Sequence, residues 1–181
     1  MKILLHVCCG PCSAHAIEQL KRQYELTAFF YNPNIWPRGE YAKRLTAAII
    51  VCKQMGVEFL DRDYDTANWE TAVAGFESEP EGGKRCEKCF EYRLKKTAEY
   101  ANKNGFQIFA TTLTTSPHKD SKKINKIGKH FAEEYGIEFV QADFKKQDGF
   151  LKSNKMSKEM GIYRQSYCGC RFSSNIASPK L

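Results

Sequence analysis

Short apolar runs of strand length alternate along the chain with longer stretches whose apolar residues recur at helical spacing. This alternation predicts an α/β domain on a mainly parallel sheet. Lys2 to Val7 reads as the first strand, a turn carries Cys8 to Cys12, and Ser13 reads as the cap of a helix to about Gln23. Leu26 to Tyr31 is the second strand. The run Asn32-Pro33-Asn34-Ile35-Trp36-Pro37 predicts a loop, because Pro33 and Pro37 have no amide to donate. A helix from about Glu40 to Met55 is closed by Gly56, Val57 to Leu60 is a third strand, and Asp61 to Asp65 is an acidic loop. Gly75 to Lys84 is the most loop-like stretch, and Arg85 to Lys103 is a long helix ended by Asn104-Gly105. Phe106 to Thr111 is the fourth strand, Thr112 to Asp120 a polar loop, Ser121 to Tyr135 a helix and Ile137 to Gln141 the fifth strand. A last helix near Phe150 to Met160 precedes a tail with Cys168-Gly169-Cys170.

Ligands of open parallel sheets gather beyond the carboxyl ends of the strands. The Cys8–Cys12 turn, the Asn-Pro-Asn loop, the acidic loop and Thr112–Lys119 all follow strands, so one edge of the sheet is expected to hold them.

At 181 residues the chain fits one domain, and 42% hydrophobic with 27% charged residues describes an ordinary globular surface over a real core. The apolar run Ile3-Leu4-Leu5 stops at His6, too soon for a signal peptide, and no stretch approaches the roughly 20 residues of a membrane span. A cytoplasmic protein with no membrane partner is expected. Charge is uneven: residues 1–90 hold 11 Lys+Arg against 12 Asp+Glu, and residues 91–181 hold 17 against 9. A lysine-rich half is either a solvated face or a surface for a polyanion.

The eight cysteines change the picture more. In a reducing compartment clustered cysteines are more often metal ligands or redox catalysts than structural disulfides. Cys52 stands alone in an apolar helix and reads as a small buried hydrophobe. Cys8-Cys9-x-x-Cys12 and Cys86-x-x-Cys89 suit an iron–sulfur cluster, which needs several thiolates from separated segments. Zinc fits the second pair nearly as well. Cys86 and Cys89 share one face at the start of a helix, where the dipole favours thiolates. Cys12 is the spare: a ligand, a holder of a further metal, or packing. Cys168-Gly169-Cys170 is short enough for a strained, labile disulfide, and also reads as a zinc half-site or two inert thiols.

The same residues resemble a known family, the QueH-type (cobalamin-independent) epoxyqueuosine reductases. The likeness runs through Leu4-Leu5-His6-Val7-Cys8-Cys9-Gly10-Pro11-Cys12-Ser13, Tyr31-Asn32-Pro33-Asn34-Ile35 and Arg85-Cys86-Glu87-Lys88-Cys89-Phe90. It continues through Thr111-Thr112-Leu113-Thr114-Thr115-Ser116-Pro117-His118-Lys119, Asp143-Phe144-Lys145-Lys146 and Tyr163-Arg164-Gln165-Ser166-Tyr167-Cys168-Gly169-Cys170. Trp36-Pro37 departs from the family's His-Pro.

The resemblance implies a Rossmann-like (nucleotide-hydrolase-like), mainly parallel five-stranded sheet with helices on both faces. Residues 1–181 would form a single α/β metal-binding reductase domain with a redox Cys-Gly-Cys tail. It implies reduction of epoxyqueuosine to queuosine at the tRNA wobble position, with a [4Fe–4S] cluster on Cys8, Cys9, Cys86 and Cys89. It further implies a catalytic, redox-active pair at Cys168 and Cys170 and no cobalamin, and leaves room for an additional iron. The partners would be the epoxyqueuosine-containing anticodon loop of tRNA and a low-potential electron donor.

Candidate proton donors are His6, Asp63, Asp65 and Asp143, though His6 in a strand reads first as a satisfied core histidine and the aspartates as caps or solvated loop residues. Lysines 119, 122, 123, 126, 129, 145, 146, 152, 155 and 158 are candidates for phosphate contacts, and Phe90, Trp36 and Tyr163 for stacking on an unpaired base. Two rival readings are a zinc-stabilised tRNA- or protein-binding module and an ATP-dependent tRNA-modifying enzyme. The second lacks its Ser-Gly-Gly-x-Asp-Ser phosphate loop.

Overall fold

The computed structural model describes residues 1–173; residues 174–181 of the expected 1–181 domain lie outside the described residues. Strands β1 (Lys2–His6), β2 (Glu25–Phe30), β3 (Glu58–Asp61), β4 (Ile108–Thr111) and β5 (Glu138–Phe139) form one sheet in the order β3-β2-β1-β4-β5. Every pairing is parallel. Helices α1 (Gly10–Leu20), α2 (Arg38–Met55), α3 (Thr66–Ala72), α4 (Lys84–Lys103), α5 (Ser121–Tyr135) and α6 (Gly149–Glu159) connect and flank the strands.

A parallel sheet is covered on both faces, so its strands carry apolar residues in both directions. Ile3 and Leu5 of β1 and Val7 just beyond it join Ala28 and Phe30 of β2 and Ala110 of β4 in one core, with Ile17 of α1 and Val51 of α2. Leu4 turns the other way and joins Phe29, Phe109, Leu94 of α4 and Phe131 of α5. The α/β domain on a parallel sheet predicted from the alternation, and the five-stranded layout implied by the resemblance, are therefore the ones observed.

Local differences have local causes. The first helix starts at Gly10, not Ser13, with Cys9 as its N-cap and Pro11 in its first turn. Pro11 needs no amide partner there. Ser13 instead donates back to the Gly10 carbonyl at 2.7 Å. Gly10 is required for packing: a Cβ on it would lie 2.8 Å from the backbone of Ala47 in α2. Helix α3, which no periodic apolar pattern announces, is anchored by the buried Trp69. The fourth and fifth strands are shorter than predicted, and the polar loop after β4 begins with a buried 3-10 turn, Thr112–Thr115.

The strand order reverses direction between β1 and β4, since the chain winds one way through β2 and β3 and the other way to β5. A crevice opens at such a switch point, beyond the carboxyl ends of the strands. The backbone that leaves β1 there is Cys8.

Candidate metal centre

Three sulfurs converge at this switch point. The Sγ atoms of Cys8, Cys9 and Cys12 all lie within 4.8 Å of one another, and all three residues are buried. The geometry follows from the turn: Cys8 leaves β1, Cys9 caps α1 and Cys12 lies in its first turn. The 3-10 turn after β4 locks it in place, because the Cys8 amide donates to Thr112 Oγ1 at 3.0 Å and Thr115 Oγ1 donates to the Cys12 carbonyl at 3.0 Å. Ser153 of α6 donates to the Pro11 carbonyl at 2.6 Å.

The surroundings suit sulfur that carries negative charge. Thr112 Oγ1 donates to Cys8 Sγ at 3.3 Å, and Gln165 Nε2 donates to Cys9 Sγ at 2.9 Å. Hydrogen bonds from the Cys12 and Cys9 thiols hold the Cys8 thiol well below its usual range. The partners move the other way: burial pushes Cys9 up to about 12, and the hydrogen bond to Cys8 raises Cys12. So the protein alone favours negative charge on Cys8 over its two neighbours. Burial opposes a charge on Lys119, but the sulfurs of Cys168, Cys8, Cys12 and Cys9 together raise its pKa. A helix N-terminus, a buried guanidinium at Arg93 and this lysine offset several thiolates, so the donor set fits a thiolate-bound metal.

The sulfurs open on a cavity of about 490 Å³. Its walls include Arg93, Lys119, His118, Gln165 and Cys168, so the C-terminal motif returns to the first turn of the fold. Cys86 and Cys89 stand outside the close triad, at the start of α4. Cys86 packs against the apolar cluster that holds the triad and accepts from the Gly82 amide at 3.2 Å. Cys89 is buried with Trp69, Val73 and Cys170. Burial raises the pKa of both Cys86 and Cys89, and Cys168 contributes to each. Arg93 acts electrostatically on both Cys8 and Cys89. It also donates to Asn32 Oδ1, which holds its guanidinium in place.

Cys168 and Cys170 are free thiols here. Burial pushes Cys170 up to about 12. A clamp from α2 holds their turn: Arg44 donates to the Cys168 carbonyl at 2.8 Å and to the Tyr167 carbonyl at 2.9 Å, with its Nε 2.6 Å from Glu40. Tyr163 donates to the same Glu40 at 2.7 Å. The Trp36 amide donates to the Gly169 carbonyl at 2.8 Å, and Ile35 bridges Cys170. Gly169 has φ +99, and a Cβ there would meet Arg44 Nη1 at 2.7 Å.

The remaining candidates separate cleanly. His6 is fully buried, its Nδ1 2.8 Å from Thr111 Oγ1, and burial with Arg93 lowers its pKa to about 3. It is the satisfied core histidine that its strand position suggested. Asp65 accepts from Tyr92 at 3.0 Å and from Asn68 at 2.8 Å, and Asp143 accepts from Ser121 at 2.9 Å. Neither of these, nor the exposed Asp63, is on the wall of the cysteine cavity. Cys52 is buried within α2, as expected of a small hydrophobe. Phe90 is core, whereas Trp36 and Tyr163 are exposed. Of the lysines, Lys119 alone is on the cavity wall; Lys145 donates to its carbonyl at 2.9 Å. Lys123 pairs with Glu87 and Lys129 with Glu133, and lysines 122, 126, 146, 152, 155 and 158 are exposed. Sequence reasoning missed Arg44, Arg93 and Gln165, whose types carry no signal without their partners.

No helix among the described residues is long and apolar enough to cross a membrane. The sheet topology is similar to a solved structure described as a predicted subunit of tRNA methyltransferase from Methanocaldococcus jannaschii. The TM-score is 0.57 at 15% identity, covering 87% of this chain and 76% of that one. At that identity the likeness concerns fold alone. Sequence relatives are nearer. The epoxyqueuosine reductase QueH of Streptococcus pyogenes is 42% identical over 96% of this chain and 71% of its own length. That of Haemophilus influenzae is 42% identical over 95% and 71%, and that of Thermotoga maritima 41% over 94% and 89%. The family model described as epoxyqueuosine reductase QueH matches residues 3–176, and the chain belongs to that family.

Proposed function

We propose that this chain reduces epoxyqueuosine to queuosine at the wobble position of tRNA, the last step of queuosine biosynthesis, with a [4Fe–4S] cluster and a dithiol at Cys168 and Cys170. The observation that carries the reading is the convergence of three buried sulfurs at the sheet switch point, on the wall of a cavity that Cys168 also borders. In this reading Cys8, Cys9, Cys86 and Cys89 hold the cluster. Cys12, whose sulfur belongs to the close triad, is a further ligand or the holder of an additional iron.

Loss of the epoxide oxygen takes two electrons and two protons, leaves an alkene and releases water. Two thiols that become one disulfide supply both, so oxidation of Cys168 and Cys170 balances one turnover. A low-potential donor then restores the dithiol. When bound, the cluster supplies an electron path and a metal that polarises the departing oxygen. The chain's own groups do the rest. Lys119 and Arg93 favour an anionic site, Gln165 directs an N–H at Cys9, and Arg44 holds the Cys168 carbonyl so that the tail stays at the cavity.

Anaerobic reconstitution with iron and sulfide, followed by conversion of epoxyqueuosine-containing tRNA and nucleoside mass spectrometry, tests the reading. Queuosine and a brown, iron- and sulfide-containing protein are the expected results. A colourless protein holding one zinc, with no conversion, overturns it in favour of a binding module.

A further inference from the structure

Resting on the tRNA reading above, we propose that a second cavity beside the cysteine site receives a nucleobase flanking the target nucleoside, stacked on Trp36. This cavity, about 290 Å³, has Asn34, Trp36, Arg38, Trp69 and Arg171 in its walls. Asn34 borders both cavities, so the two are neighbours across one side chain. The volume suits one base, at the lower limit for small-ligand sites.

Three features of the wall supply what a base in single-stranded RNA needs. Trp36 is a large aromatic side chain left 41% exposed, unlike the other tryptophan, Trp69, at 1%. Its backbone is fixed on both sides by the redox tail: the amide donates to Gly169, and its carbonyl accepts from Tyr167 Oη at 2.9 Å. An exposed ring on a fixed backbone is a stacking platform with little ordering cost. The Arg171 guanidinium lies 5.9 Å from the Trp36 ring centroid and is paired with Glu70, a further wall residue, so Arg38 is the cation offered to the phosphate that accompanies any base. Asn34 is 3% exposed, and its Oδ1 has no hydrogen-bond partner among the described residues. A buried acceptor without a donor is an unmet requirement, which the exocyclic amine or ring N–H of a base satisfies.

The chemistry of the substrate supplies the link. An enzyme that works on one base takes it out of its stack, and its neighbours lose a stacking partner. A neighbour that then lies on Trp36 recovers stacking on protein. The target nucleoside in the cysteine cavity and this base would thus be one backbone step apart.

Binding of an anticodon stem-loop RNA, followed by intrinsic fluorescence, tests the site without turnover. Trp69 is buried, so quenching on RNA addition is expected to arise from Trp36 and to vanish in Trp36→Phe, which keeps a platform. Trp36→Ala is expected to weaken stem-loop binding about tenfold. In turnover it is expected to raise KM for the stem-loop substrate by about the same factor, with kcat changed far less. The decisive arm is a double cycle: stem-loops abasic on the 5′ or 3′ side of the target should bind the native protein about tenfold more weakly on one side only, and Trp36→Ala should erase that difference. Additive losses, or quenching that persists in Trp36→Phe, overturn the site. RNA that binds normally to Trp36→Ala removes this subsite and leaves the tRNA reading standing. A native protein that binds no stem-loop removes both.

Discussion

The two cysteine segments that meet at the cavity are held by opposite means. The Cys8–Cys12 turn is a product of the sheet: a buried central strand ends, a helix begins, and the threonines of the 3-10 turn after β4 tie it down. The Cys168–Cys170 turn belongs to no helix or strand of the sheet. It is held from outside, by Arg44, Trp36 and a single bridge to Ile35. The first is as rigid as the core. The second is as rigid as a few side chains, which would suit the dithiol–disulfide exchange proposed for the pair.

The sharpest way to break the comparison is at the first segment. Cys8→Ala or Cys9→Ala is expected to abolish metal retention, seen as loss of iron and sulfide in the anaerobically purified protein, while circular dichroism stays native. In the second segment, Cys170→Ser is expected to keep metal but to lose turnover, the first included, by a factor of roughly 100, as rapid quench followed by steady-state assay would show. Full multiple turnover in that variant would remove the dithiol role.

Arg44→Ala leaves Glu40 buried and unpaired and cuts the tail loose. It is expected to cost about 3–5 kcal/mol, read as a fall in Tm of roughly 10 °C. Its turnover should resemble that of Cys170→Ser rather than that of the Cys8 variant. Gly169→Ala, with its left-handed φ and its contact on Arg44, is expected to cost about 1–3 kcal/mol by denaturant titration. The smallest effect is expected for Thr112→Val, which removes hydrogen bonds to the Cys8 amide and sulfur but leaves the fold intact. About 1–2 kcal/mol and weaker metal retention are expected there, measured by melting and by competition with a chelator.

The same contrast explains what the sequence made legible. β1 and β2 could be read because each is a short apolar run bounded by polar residues, and the Cys8–Cys12 turn could be placed because it follows such a run. The clamp could not be read: Glu40, Arg44 and Tyr163 come together only when α2 meets the tail, 124 residues beyond Arg44 at Cys168. Cys12 looked spare because spacing says nothing of direction; the early start of α1 at Gly10 turns its sulfur toward Cys8 and Cys9. Helix α3 escaped because its one buried anchor, Trp69, packs against Cys170 and not against a periodic face of its own.

Arg93 serves two masters. One guanidinium favours negative charge on both Cys8, in the turn after β1, and Cys89, in α4. Replacing Arg93 would therefore disfavour charge at two separated segments at once, the turn after β1 and the first turns of α4.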